Sequence, residues 1–321
     1  MEVAEFHGRV MASRLHIIAA DGERTQEALV STVQETVAFL EYLDQCWSRF
    51  IPSSDISRLN RLGPDGGALV VDPTTVVLLE SMIAGFRTTV GRFDPSILRT
   101  MIAEGYSSSF EVPDRISSVS AGVTRRGALL DLVIDPVEHI VEVPSGLVID
   151  PGGIGKGLAA DLAVSRLLNS GLGGAMVEIG GDLAMAGVSI DPAGWLVDIE
   201  HPDPARGVLC SLAVSGGGVA TSSVISRRWV HEGSERHHQI DPSTCTASDT
   251  DLTAVTVIAP TGWLAEVHAT AALGAGSGSV IQYLEDRDLS GVAVMISPTS
   301  EQVFRTSNLL DIEIRTTSGA R

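Results

Sequence analysis

Residues 174–215, GAMVEIGGDLAMAGVSIDPAGWLVDIEHPDPARGVLCSLAVS, decide the fold class of this chain. Within them the apolar runs AMVEIGG, LAMAGV, WLVDIEH and VLCSLAV are separated by short loops. A parallel pair needs a crossover of a dozen residues or more, so runs this closely spaced pair antiparallel. The expectation is an α+β fold with mixed, largely antiparallel sheets and packed helices, in preference to a doubly wound sheet.

Upstream, GLVIDPGGIGKGLAADLAVSRLLNSG (146–171) reads as a short strand, a glycine turn, and a helix with Leu158, Leu162 and Leu167 among its apolar positions, closed by Gly171. Residues 8–20 read as one strand. Over 25–47, Leu29, Val33, Val37, Leu40, Leu43 and Trp47 recur at helical spacing and predict a long amphipathic helix. IPSSDISRLNR (51–61) reads as a polar turn, TTVVLLESMIAGF (74–86) as a buried helix entered at Asp72-Pro73, and 105–145 as irregular strands and loops. Downstream come a strand (LTAVTVIAP, 252–260), two helices (261–276 and 279–286) and two strands (GVAVMIS and QVFRT). No linker divides the chain, so a single domain over 1–312 with a polar tail over 313–321 is expected.

The formal charge of -18 repels the phosphate backbone and anionic headgroups, which argues against nucleic-acid and membrane-surface roles. No apolar run approaches the ~18 residues of a membrane span, and residues 1–20 lack a basic start followed by an apolar stretch. A soluble cytoplasmic protein is therefore expected. Cys46, Cys210 and Cys245 are an odd, widely spaced set without metal-ligand pairing, which fits a reducing compartment.

Lys156 is the only lysine among 22 basic residues, and it stands in GGIGKG at a helix start. Such a turn aims backbone N–H groups and the positive end of the helix dipole at a guest, and phosphate suits that environment. The spacing is neither a Walker loop nor GxGxxG. Lys156 either touches phosphate or braces the loop through an acid such as Asp182. Four further segments each carry two readings. Gly180-Gly181-Asp182 is a hairpin turn, or a place where a ring or phosphate approaches backbone. Thr221, Ser222 and Ser223 beside a triple glycine form an anion nest or a flexible loop. His237 and His238 near Asp241 are a general base with its neighbour, or a solvated pair. Glu266 and Thr270, four apart on one helical face, are Mg²⁺ ligands or an exposed polar pair.

The order and wording of these segments resemble the ApbE family, the FAD:protein FMN transferases, from about Met11 to Gly276. The match runs through Met11-Ala12-Ser13, SRFIPSSDISRLN, Phe93-Asp94-Pro95-Ser96, Asp150 to Asp161, the GGD of Gly180–Asp182, the ATS of Ala220–Ser222, the HQIDP of His238–Pro242 and the AExxxT of Ala265–Thr270. The resemblance implies an FAD site contacting Met11, Asp94, Lys156, Gly180, Gly181, Asp182, Thr221, Ser222 and Asp241. It implies Mg²⁺ held by Glu266, Thr270 and the carbonyl of Gly155, with His238 as base. The implied reaction moves FMN from FAD to a Ser or Thr hydroxyl of an acceptor protein and releases AMP. Alternatives on the same site are an FAD pyrophosphatase and a non-catalytic FAD-binding protein. This chain departs from the family pattern where Glu266 replaces Asp, Gly155 replaces Ala, Ser223 replaces Gly, and Ser243 and Cys245 replace Arg and Gly. No lipobox cysteine stands near the N-terminus.

Overall fold

The computed structural model describes residues 2–314 apart from 110, 111, 118, 120, 121 and 124. Its centre is an eight-stranded sheet: β1 (Glu2–Val10), β2 (Ser13–Asp21), β3 (Gly174–Ile179), β4 (Asp182–Gly187), β5 (Gly217–Ser223), β6 (Ala254–Ala259), β7 (Ser290–Ile296) and β8 (Glu301–Arg305). Spatial order follows chain order, and every neighbouring pair is antiparallel. The sheet is thus a long meander whose connections have been expanded, as the antiparallel reading of 174–215 anticipated.

Among the described residues seven α-helices accompany it: α1 (Gln26–Trp47), α2 (Asp55–Leu62), α3 (Pro73–Thr88), α4 (Leu98–Ala103), α5 (Gly155–Asn169), α6 (Gly262–Leu273) and α7 (Val280–Glu285). Alternation along each strand gives the sheet two apolar faces. Ala175, Val177 and Ile179 of β3 join Leu29, Leu40 and Leu43 of α1 and Leu158, Ala163 and Leu167 of α5 in one core. Val255 and Val257 of β6 pack with Ala265, Ala269 and Leu273 of α6. On the opposite face Met176, Met185, Val219 and Ile258 meet Trp195, Val197, Leu212 and Val214 of a three-stranded sheet built from Trp195–Glu200, Val208–Val214 and Glu313–Ile314. The molecule therefore has three layers. Fully buried leucines such as Leu29, Leu40 and Leu167, each about 0% exposed, contribute roughly 1.5–3 kcal/mol apiece by area. Among the described residues no helix is long and apolar enough to cross a membrane.

Several local expectations are corrected. Residues 8–20 are not one strand, since β1 and β2 form a hairpin turning at Met11–Ala12, whose positive φ values of 49 and 56 carry no glycine or asparagine signal. The polar turn over 51–61 contains α2, because the Ser54 hydroxyl accepts from Ser57 N (3.0 Å) and caps a helix that buries Ile56 and Leu59. The stretch before the glycine turn is extended but joins no ladder. Its Ile149 N–H donates to Asn60 Oδ1 (2.7 Å), Asn60 Nδ2 donates to the Ile149 carbonyl (2.9 Å), and Asp150 N donates to Pro95 O (2.9 Å). Of the triple glycine near Thr221, Gly216 lies in a short bend, while Gly217 and Gly218 open Gly217–Ser223, which is β5 in the middle of the main sheet. Of the tail expected over 313–321, Glu313–Ile314 pair with Val208–Val214, and 315–321 lie outside the described residues.

Candidate active site

One cavity of about 660 Å³ opens between the main sheet, the start of α5, the middle of α6 and the long connections on either side. Its walls gather Met11, Asp94, Gly155, Lys156, Gly180, Asp182, Thr221, Ser222, His238, Glu266 and Thr270, which come from seven separate stretches of chain. Gly181 and Asp241 are not among the lining residues. Gly181 completes the two-residue hairpin turn between β3 and β4, with φ of 63 at Gly180 and 93 at Gly181 and Ile179 facing Asp182. The Asp241 carboxylate instead accepts from Ser243 N (2.7 Å) and shapes its own turn.

Glycines at the helix starts serve close backbone approach. A Cβ on Gly157 would lie 2.5 Å from Gly262 O, and one on Gly218 would lie 2.3 Å from Gly262 N, so α5, α6 and β5 meet backbone to backbone. Asp161 of α5 ties the same junction by accepting from Gly262 N (2.7 Å) and Trp263 N (2.9 Å), the otherwise unpaired donors at the start of α6. Burial, opposed by those two hydrogen bonds, pushes its carboxyl up to about 6.

Lys156 braces acids. Its ammonium is ion-paired to Asp182 and lies 3.2 Å from Glu266 Oε1, while Glu266 Oε2 accepts from Gly157 N (2.8 Å). The carboxylates are almost wholly enclosed, with side chains 4% and 5% exposed, and two of them share one cation. An additional cation in the cavity would balance that excess negative charge. One turn along α6 the Thr270 hydroxyl lies 3.2 Å from Ser222 Oγ, adding hydroxyl oxygens beside the Glu266 carboxylate. Carboxylate and hydroxyl oxygens are hard donors, so the residues present fit Mg²⁺. The departure at Gly155 is accommodated. A Cβ at Gly155 would meet only Pro151 Cβ at 3.6 Å, so glycine and alanine both fit. Cys245 has φ of 56, the backbone region in which the family's glycine is free of steric penalty.

Asp94 is buried and accepts from Ser96 N (2.9 Å) and Gly127 N (2.8 Å), fixing the chain where it enters α4. Thr221 pairs with Thr256 across the strands (2.8 Å). His238 is half-buried, its Nδ1 has no hydrogen-bond partner within the protein, and Gln239 Nε2 lies 3.2 Å from its Nε2. Burial, reinforced by the positive Arg227, pushes the imidazole down to about 3. It is therefore neutral at pH 7 and able to accept a proton. His237 does not line the cavity, and its Nε2 lies 3.1 Å from the Ser248 carbonyl.

Sequence reasoning missed the arginines. Arg9, Arg49, Arg92, Arg115 and Arg227 join Lys156 in the walls, against Asp44, Asp94, Asp150, Asp182 and Glu266. Among the described lining residues, six positive side chains face five negative ones, inside a chain of charge -18. Arg49 is held 3.2 Å from Asp150 Oδ1 and lies over the rings of Phe50 (4.2 Å) and Tyr106 (4.8 Å). The available signal was the Ser-Arg-Phe run at 48–50, whose partner Asp150 is a hundred residues away.

The sequence model of the ApbE family matches residues 11–296. The chain belongs to the ApbE family. A Haemophilus influenzae protein named FAD:protein FMN transferase is 22% identical over 296 residues, covering 90% of this chain and 85% of its own length. One of the same name from Treponema pallidum is 27% identical over 277 residues, covering 80% and 75%. Among solved structures, the ApbE protein of Thermotoga maritima superposes with a TM-score of 0.81 at 22% identity, over 98% of this chain and 100% of its own. The apo form of the Pseudomonas stutzeri flavinyl transferase ApbE gives 0.79 at 23% identity, over 97% and 96%. At these identities the superpositions establish the fold, and the α+β architecture is that of ApbE proteins.

Proposed function

We propose that this member of the family is a flavin transferase that moves FMN from FAD to a serine or threonine hydroxyl of an acceptor protein. The observation that carries the reading is the convergence of Lys156, Asp182, Glu266, Thr270, Ser222 and His238 on one arginine-lined cavity. Its volume falls within the roughly 300–1,000 Å³ of small-molecule sites. The arginines and the α5 N-terminus would receive the anionic pyrophosphate. Mg²⁺ would be held by Glu266, Thr270 and the Gly155 carbonyl, and would supply Lewis-acid polarisation of the phosphoryl oxygens.

In the proposed step the acceptor oxygen bonds to the phosphorus of the FMN half. The bond from that phosphorus to the bridging oxygen breaks, AMP leaves with the electron pair, and the hydroxyl proton passes to neutral His238. Lys156 holds Asp182 and Glu266 in place throughout. Incubation with FAD and Mg²⁺, with and without a Ser/Thr acceptor peptide, tests the reading. Acceptor labelling with equimolar AMP is expected. FMN and AMP formed equally well without acceptor would assign a pyrophosphatase, bound but intact FAD would assign a binding protein, and failure to bind FAD would sink the reading. Glu266→Ala is expected to lower metal-dependent turnover. His238→Ala should slow transfer about 10²- to 10⁴-fold with little change in FAD affinity; an equal loss of affinity would remove it from the role of base.

A further inference from the structure

A cluster of ligating side chains lies outside the cavity, on the hairpin of β1 and β2. In β1, Ala4 and Val10 face the helix-covered core, so Glu5 and His7 project from the other face of this edge strand. The register sets His7 opposite His16 of β2, and His16 opposite Glu178 of β3. The two imidazole rings stack with centroids 4.2 Å apart and planes 13° apart. His7 Nε2 and His16 Nε2 approach the same Glu5 oxygen at 3.1 and 2.8 Å, and Glu178 Oε2 lies 3.9 Å from His16 Nδ1.

Ligand atoms from Glu5, His7 and His16 all lie within 4.8 Å of one another. A tetrahedral zinc ion with bonds of about 2.0–2.1 Å sets its ligand atoms roughly 3.3 Å apart, a contraction that the exposed Glu5 and His7 side chains reach by small rotations toward the half-buried His16. Two imidazoles with a carboxylate suit a borderline ion such as Zn²⁺ better than the hard ion Mg²⁺. A hydrogen bond from His16 holds the Glu5 carboxyl below its usual range and keeps it ionised. The charge of -18 adds a long-range attraction for a divalent cation.

We propose that Glu5, His7 and His16, with Glu178 beside them, form a zinc-binding site that staples β1 to β2. Both strands run into the Met11–Ala12 turn, so zinc would clamp the hairpin that presents Met11 to the cavity. The site is independent of the flavin chemistry, and its test is binding.

Full-length, tag-free protein stripped with EDTA is titrated with ZnCl₂ by calorimetry and melted with and without the metal. The wild type is expected to bind one equivalent at this site and to melt at a higher temperature with zinc. That equivalent should persist in Glu266→Ala and be lost or weakened at least about 10-fold in the His7→Gln/His16→Gln double variant, whose metal-free melting reports whether it folds. Glu5→Gln, which keeps both imidazoles, should weaken zinc less. Any stabilisation by MgCl₂ should be the same in the wild type and in the His7→Gln/His16→Gln double variant, whereas that by zinc should differ. The proposal fails if the folded double variant binds zinc with the stoichiometry and affinity of the wild type, or if the wild type binds none that these substitutions affect.

Discussion

Two turns stand side by side at one end of the main sheet, Met11–Ala12 between β1 and β2, and Gly180–Gly181 between β3 and β4. Both are two-residue connections, with Val10 facing Ser13 and Ile179 facing Asp182, and all four residues have positive φ. Glycine adopts that region freely, whereas an L side chain there costs about 1–2 kcal/mol. The difference has a spatial cause. A Cβ on Gly180 would come within 2.8 Å of Ser13 Oγ, so the neighbouring turn already occupies the space. Met11 lends its side chain to the cavity wall. The glycine turn is therefore a packing device, and the strained turn carries a side chain to the site. Glycine density alone does not mark ligand contact, since Gly181 does not line the cavity.

The turns also differ in the company they keep. Asp182, directly after Gly180–Gly181, is clamped by Lys156. Lys156→Met should have the largest effect, because it leaves Asp182 and Glu266 enclosed without their cation; a loss of about 3–5 kcal/mol is expected in denaturant unfolding, partly restored by Mg²⁺. A loss under about 1 kcal/mol would show that the acids do not depend on the lysine. Next is Gly180→Ala, where the left-handed backbone and the contact with Ser13 together predict about 2–4 kcal/mol of destabilisation. If it proved as mild as a surface substitution, the packing account of this turn would be wrong.

Ala12→Gly should act in the opposite direction, stabilising by about 0.5–1 kcal/mol because relief of the strained φ exceeds the added freedom of the unfolded chain. Destabilisation would show that the Ala12 methyl is needed. The smallest expected effect is a flat line. With its pKa lowered to about 3, His238 stays neutral as the pH falls and is protonated only near that value. Its titration should therefore leave kcat/KM for transfer unchanged between pH 7 and 5. An acidic limb near pH 6.5 that disappears in His238→Ala would contradict this burial.

Periodicity made α1, α3 and α5 legible, because each carries a repeating apolar face over several turns, whereas α6 is buried on nearly all sides and was legible as a long apolar run. The periodic signal failed for α2, where eight largely polar residues depend on the Ser54 cap and on Ile56 and Leu59 finding a core. The failure at 147–150 has another cause. An extended segment whose hydrogen bonds go to a distant Asn60 side chain has the same local pattern as a strand. At β5 the triple glycine suggested a loop, yet Gly218 is what allows Gly262 to approach the central strand. In the site, Lys156, Glu266 and Thr270 stood out by residue type and spacing. Asp241, named through the HQIDP match, accepts from Ser243 N and shapes its own turn.

By itself the sequence determined the antiparallel α+β class, the positions of the long helices and the motifs that match the ApbE family, because these depend on local periodicity, short loops and residue type. Only the tertiary structure decided that Lys156 binds Asp182 and Glu266, that five arginines share its cavity, and that His238 is held neutral. Those outcomes depend on which groups meet across 26 residues, as from Lys156 to Asp182, or 110, as from Lys156 to Glu266, and on how much water is excluded where they meet.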